Sequence, residues 1–217
     1  MQESSKDVLD IAQTLIARGI LSKSLHGNIS VRLDDGERIL MSGSSLVGLS
    51  EDSLVLLDAE GTVLSGEVAP TEHEIIRMHT AIYREQSDVG SIIHTHSPFA
   101  TSYAIAGKHM PLVSESLARW GVTHPIPVAK WAPRGSDAAV DYILEAVRNG
   151  QNPPAVLLQS HGVLAWGRGA NEALRRTIAI EENAQLAVTA AGLGGALEIT
   201  PEMAKSASAR KEAFQQL

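Results

Sequence analysis

The 217-residue chain contains no cysteine. Disulfides and thiolate chemistry are thereby excluded, and any transition metal it holds must rest on nitrogen and oxygen ligands. No stretch approaches the roughly 18 apolar residues of a membrane span, and the opening MQESSKDVLD lacks the basic-then-apolar pattern of a secretion signal. The expected location is the cytoplasm. Basic charge is scarce, with 18 Lys and Arg against 25 Asp and Glu for a net charge of −7. That balance argues against nucleic acid and membrane as partners, since both require a basic face. It leaves room for a phosphorylated small molecule, which a few backbone amides can hold. Internal repeats, low-complexity tracts and linkers are also missing. What remains is ordinary globular composition, 44% hydrophobic and 20% charged, in a length that suits one domain over residues 1–217.

Residues 5–19 place Val8, Ile11, Ala12, Leu15 and Ile16 on one helical stripe that stops at Gly19. NISVRLDDGERILMS reads as a hairpin around Asp34-Asp35-Gly36, and SLVLLDAEG as a third strand. PTEHEIIRMHTAIYREQ is helical, VGSIIHTH is a strand with a short helix after it, and residues 136–148 form another helix. PAVLLQSHGVLAWG reads as two buried strands interrupted at Ser160-His161-Gly162, followed by a long helix and a weaker C-terminal one. The segment 106–134 shows no clear period. Strands in a run bracketed by helices predict an α/β protein, a three-layer α/β/α domain around a largely antiparallel sheet.

Within this pattern the stretch SIIHTHSPFATSYA holds His94 and His96 at alternate strand positions. Side chains two apart on a strand share a face, here roughly 7 Å apart, so both imidazoles can converge on one ion. A third histidine, His161, lies in LLQSHGVL, where Gly162 is expected to break the strand and present the ring at its end. Three histidines around a zinc-type ion leave a coordination position open, as a catalytic site requires. Any one of them alone is better explained as a core or surface residue than as a ligand.

The ordered set HGNISVR, SGSS, PTEHEIIRMHTAIYRE, SIIHTHSPFATSYA and LLQSHGVLAWG resembles the class II aldolase/adducin family from about residue 5 to residue 195. That resemblance implies a layered α/β/α fold, assembly as a homotetramer, and one Zn2+ (or Mn2+ or Co2+) per subunit on His94, His96 and His161. It implies that Gly27-Asn28 and Ser42-Gly43-Ser44 hold a substrate phosphate, with Thr71 after the proline in the same role. His26 adds a cation for a carboxylate or phosphate. The implied activity is cleavage of a carbon–carbon bond in a short sugar or sugar phosphate through an enediolate. The same chemistry serves decarboxylation of a 3-oxo sugar acid, or epimerisation. A non-catalytic scaffold, like the adducin head, is disfavoured by the intact histidine triad.

The chain departs from the family where the acid/base glutamate belongs, four residues before the helix histidine, because that position is Ile75. Glu72 lies seven residues before His79, nearly two helical turns, and so projects along the same face. Glu74 is nearer in sequence but is also the fourth residue of a capping box opened by Thr71. His73 is a third alternative, and His79 is expected to be structural. A carboxylate at Glu72 would repel a phosphate beside it, so either Glu72 faces the metal or the substrate lacks phosphate there. Glu115, Arg119 and His124 are candidates for completing a neighbouring subunit's site, Arg119 by gripping an anion bidentately. The tyrosine that some family aldolases carry in the tail has no counterpart after Tyr142.

Overall fold

A computed structural model describes residues 1–70, 72–151 and 153–209. Eight strands form one sheet in the order β4-β3-β2-β1-β5-β8-β7-β6. They run β1 (Gly27–Arg32), β2 (Arg38–Ser42), β3 (Leu54–Asp58), β4 (Val63–Ser65), β5 (Ser91–Thr95), β6 (Val128–Ala129), β7 (Ala155–Leu158) and β8 (Gly162–Gly167). Every neighbouring pair is antiparallel except β6 with β7. The hairpin expected over the Asp34-Asp35-Gly36 turn forms as β1 and β2, with Ser30 opposite Met41. The short edge strands β4 and β6 escaped the sequence reading, because three and two residues are too few to display a period.

Alternation along the strands sorts the apolar residues into two layers. One face of the sheet, with Met41, Leu57, Ile92, Val156, Leu164 and Trp166, packs under α2 (His73–Glu85) and α5 (Asp137–Asn149). Ile75, Ile76, Met78, Ile82 and Ile143 supply the helical side of that core. The other face packs against α1 (Gln2–Ala17), α3 (Pro98–Ala106), α4 (Glu115–Arg119), α6 (Ala170–Ala191) and α7 (Pro201–Ser208). Helices therefore cover both faces of a largely antiparallel sheet, which is the α/β/α arrangement expected. The strand β5 lies near the middle and is fully buried. Its even-numbered residues face the α2/α5 layer, and His94 is one of them.

Among the described residues, no helix is long and apolar enough to cross a membrane. One expected feature is corrected. The break between β7 and β8 is made by Ser160, which takes φ +59°, and not by Gly162. Gly162 is required for closeness instead. A Cβ there would lie 2.4 Å from the Thr95 carbonyl oxygen and 3.0 Å from His96 Cδ2.

Candidate active site

Three neighbouring segments of the sheet bring the histidines together. His94 is on β5, His96 follows that strand's end, and His161 sits on the turn from β7 to β8. The ring centroids are 4.7 to 5.0 Å apart, and one nitrogen from each ring lies within 4.8 Å of the others. That separation is on the scale of one ion's coordination sphere.

The polar bookkeeping of the rings fits a metal. Nδ1–H of His94 donates to the Val163 carbonyl at 3.0 Å, so the proton is on Nδ1 and the Nε2 lone pair faces its partners. Nε2 of His94 and Nε2 of His161 are buried and have no hydrogen-bond partner. Buried nitrogens without partners are costly, and a divalent cation is the partner that three neutral imidazoles suit. Burial, then neighbouring positive charge, holds the imidazoles neutral. His94 is pushed well below its ordinary value, and His96 and His161 are each lowered to about 4. Neutral rings are the metal-binding form.

A cavity of about 80 Å³ opens over these rings, lined also by His26, Gly27, Asn28, Glu72, Ile75 and Arg134. Asn28 is directly opposite His94 in the β1–β5 ladder, so both side chains rise from the same face. Its amide Nδ2–H donates to Glu72 Oε2 at 3.3 Å, and its Oδ1 accepts from His79 Nε2 at 2.7 Å. A flipped amide would aim Oδ1 at the Glu72 carboxylate, so that carboxylate fixes the Asn28 orientation. With Oδ1 facing His79, the His79 proton is on Nε2, and Nδ1 accepts from Ser30 Oγ–H at 2.7 Å. Ser30 in turn accepts from Tyr83 Oη–H at 2.9 Å. A hydrogen-bonded chain thus runs from the cavity carboxylate into the core through Asn28, His79, Ser30 and Tyr83. His79 is fully buried and neutral, lowered to about 3 by burial, which agrees with its expected structural role. Burial raises the Glu72 carboxyl above its ordinary value, while the Asn28 hydrogen bond and Arg134 oppose that shift.

The two candidate glutamates part company. Glu72, at the N-cap of α2, enters the cavity, whereas Glu74 faces outward and pairs with Arg134 Nε at 3.3 Å. His73 is exposed and does not line the cavity. Thr71 lies outside the described residues. His26 is exposed at the rim, its ring 5.7 Å from that of His96.

Several of the backbone and side-chain groups expected around a phosphate also bond within the fold. Ser42 Oγ accepts from the Ile29 N–H at 3.0 Å. The Gly43 N–H donates to the Ser53 carbonyl at 2.9 Å, and its own carbonyl accepts from the Ala69 N–H at 2.8 Å. Ser42 and Gly43 adjoin Glu72 in a small apolar recess with Met41, Val55 and Leu57, and Ser44 follows as a half-buried bend. Arg119 is on α4, in the opposite helical layer, paired with Glu115 at 3.1 Å. His124 lines a different cavity with His109 and Lys130. None of these three lines the histidine cavity of its own chain.

Arg134 was missed in the sequence. It sits on the aperiodic loop between β6 and α5, and nothing in that loop's pattern points to β5.

An α/β/α sheet carrying three convergent histidines beside a half-buried carboxylate is an arrangement that could hold a divalent metal ion. The chain belongs to the class II aldolase/adducin family: the family model "Class II Aldolase and Adducin N-terminal domain" matches residues 6–188. It is 32% identical over 178 residues to the 5-methylthioribulose-1-phosphate/5-deoxyribulose-1-phosphate aldolase of Rhodospirillum rubrum, covering 82% of this chain and 77% of that one. Over 216 residues it is 28% identical to the L-ribulose-5-phosphate 4-epimerase UlaF of Salmonella paratyphi B, covering 91% and 89%. Its fold matches a solved L-fuculose 1-phosphate aldolase at a TM-score of 0.86 and 22% identity, over 98% of this chain and 97% of that one.

Proposed function

We propose that the chain is a single-domain, divalent-metal-dependent aldolase that cleaves a carbon–carbon bond of a short ketose or ketose phosphate. The observation that carries this reading is the meeting of His94, His96 and His161 beside the cavity carboxylate Glu72. His94, His96 and His161 would hold the ion, zinc in the first instance, and a bound ion supplies a Lewis acid for charge that develops on oxygen. Glu72, its pKa raised by burial, takes the hydroxyl proton as the carbon–carbon bond breaks and the aldehyde leaves. It then returns that proton to carbon. Asn28 holds the Glu72 carboxylate in place, and the neutral His79 behind it donates to the amide oxygen. A cytoplasmic homotetramer completes the reading, in keeping with the family resemblance.

The test is metal analysis of the purified protein, then incubation with ketose phosphates and with 3-oxo sugar acids. Stoichiometric divalent metal, and aldehyde release that a chelator abolishes, are expected. Carbon dioxide without aldehyde would make it a decarboxylase, and isomerised ketose without aldehyde an epimerase. Absence of bound metal, with no activation by zinc, manganese or cobalt, would reduce it to a scaffold.

A further inference from the structure

The region expected to hold the substrate's anion is poorly suited to one. Glu72 stands on Asn28 and adjoins Ser42 and Gly43, so a phosphate there would meet a carboxylate. The Gly43 N–H, one amide of the expected Ser42-Gly43-Ser44 loop, already donates to Ser53. Like charges in a buried site repel strongly, and a saturated amide adds little attraction.

Positive charge is found across the sheet. Ser42 is on β2 and Asn28 on β1, on one side of the central strands, while the loop carrying Arg134 leaves β6 on the other. Arg134 lines the histidine cavity and also a second cavity of about 240 Å³, and His161 is the other residue common to both. Lys130, Gln159 and Ser160 bring further polar groups to that second cavity, whose floor is Met78, Ile143 and Leu158. The two spaces together have room for a substrate whose reacting carbon lies over the histidines and whose tail lies beyond His161.

The loop is fastened in place from two directions. On the α2 side Glu74 pairs with Arg134, and Arg77 donates to the Gly135 carbonyl at 2.6 Å and pairs with Asp137. On the sheet side the Trp131 N–H donates to Gln159 Oε1 at 2.9 Å, on the same turn as His161. The guanidinium is therefore held relative to both Glu72's helix and a metal-ligand turn, while its half-exposed side chain remains within reach of solvent.

We infer that Arg134 binds an anionic group of the substrate, phosphate or carboxylate, on the β6 side of the histidines, away from the Asn28 and Ser42–Ser44 wall. This rests on the reading of the histidine cluster as the reacting centre, and it names where the charged end of the substrate lies. A planar guanidinium recognises either anion through paired N–H groups. Glu74 is then a positioning residue that orients Arg134.

The test uses the metal-loaded full chain titrated calorimetrically with inorganic phosphate and, separately, with acetate. Arg134→Gln is expected to weaken the preferred anion by at least about tenfold at unchanged metal content, with Arg134→Lys in between. Tighter phosphate than acetate assigns a phosphoryl end, and the reverse assigns a carboxylate end. With an anionic substrate, Arg134→Gln should raise KM about tenfold and leave kcat within about threefold. Anion affinity within twofold of the parent in Arg134→Gln overturns the inference, as does failure of the parent to bind either anion. The aldolase reading fails separately: a chain that binds phosphate through Arg134 yet releases no aldehyde refutes that reading and leaves this one standing.

Discussion

His79 is where the buried hydrogen-bond chain can be cut without touching the cavity wall. His79→Leu removes the donor to Asn28 Oδ1 and the acceptor for Ser30 Oγ–H, both of them buried. Each buried group left unsatisfied costs about 1–3 kcal/mol, so the variant should lose about 2–6 kcal/mol near pH 8. Acid changes the comparison. Burial lowers His79 to about 3 in the folded chain, while an unfolded histidine titrates at about 6.5. The advantage of the neutral buried ring is thus fully present above about pH 6.5 and is lost as pH falls toward 3. Near pH 5 protonation of His79 favours the unfolded wild type by about 2 kcal/mol, a loss the leucine variant does not share. The stability gap should therefore shrink by about 2 kcal/mol between pH 8 and pH 5. Urea unfolding of the metal-stripped proteins, followed by tryptophan fluorescence, measures it. His96 and His161, whose shifts do not involve His79, titrate in both proteins and cancel in the difference. A gap equal at the two pH values would refute a buried, neutral His79.

The remaining predictions concern the cavity. His96→Ala should abolish stoichiometric metal binding while leaving the circular dichroism spectrum intact, and retained zinc would contradict the ligand assignment. Glu72→Gln should lower kcat by about a hundredfold or more at near-normal metal content. Glu74→Gln, on the outward face, should cost under about tenfold, mostly in KM, and steady-state kinetics of the pair decides which carboxylate moves the proton. Gly162→Ala places a methyl 2.4 Å from the Thr95 carbonyl oxygen and 3.3 Å from His94 Cε1. It should weaken metal binding by about tenfold or more in a chelator competition, and unchanged affinity would show that the strands can part there.

What the sequence could reveal was whatever depends on local period. The hairpin at Asp34-Asp35-Gly36, the shared face of His94 and His96, and the helix through His79 follow from spacing and turn chemistry alone. The pairing of Glu72 with His79 belongs in the same class. Seven residues apart, the two side chains take opposite ends of the Asn28 amide. Arg134 was illegible because its loop is placed by the pairing of Arg134 with Glu74 and the bond from Trp131 to Gln159, 60 and 28 positions apart in sequence. Gly43 illustrates a second thing that sequence does not display. Small residues expose amides only when the backbone has no other use for them, and here Ser53 and Ala69 take both hydrogen-bonding groups of Gly43.

Register joins fold and site. Asn28 meets His94 in the β1–β5 ladder, and Thr95 meets Val163 in the β5–β8 ladder. A slip of one residue in β5 would turn His94 toward the α1/α6 layer and put Ile93 over the cavity, since side chains alternate with period two. Burial on both faces resists such a slip, and two glycines make the true register close-packed. A Cβ on Gly27 would lie 2.8 Å from the His94 carbonyl oxygen, and one on Gly162 would lie 2.4 Å from that of Thr95. With hydrogen at both positions, β1 and the His161 turn can close on β5 from either side. The three histidines are thus brought together by the same strand pairing that forms the core, which is why the geometry of this cluster needs no flexible loop to assemble it.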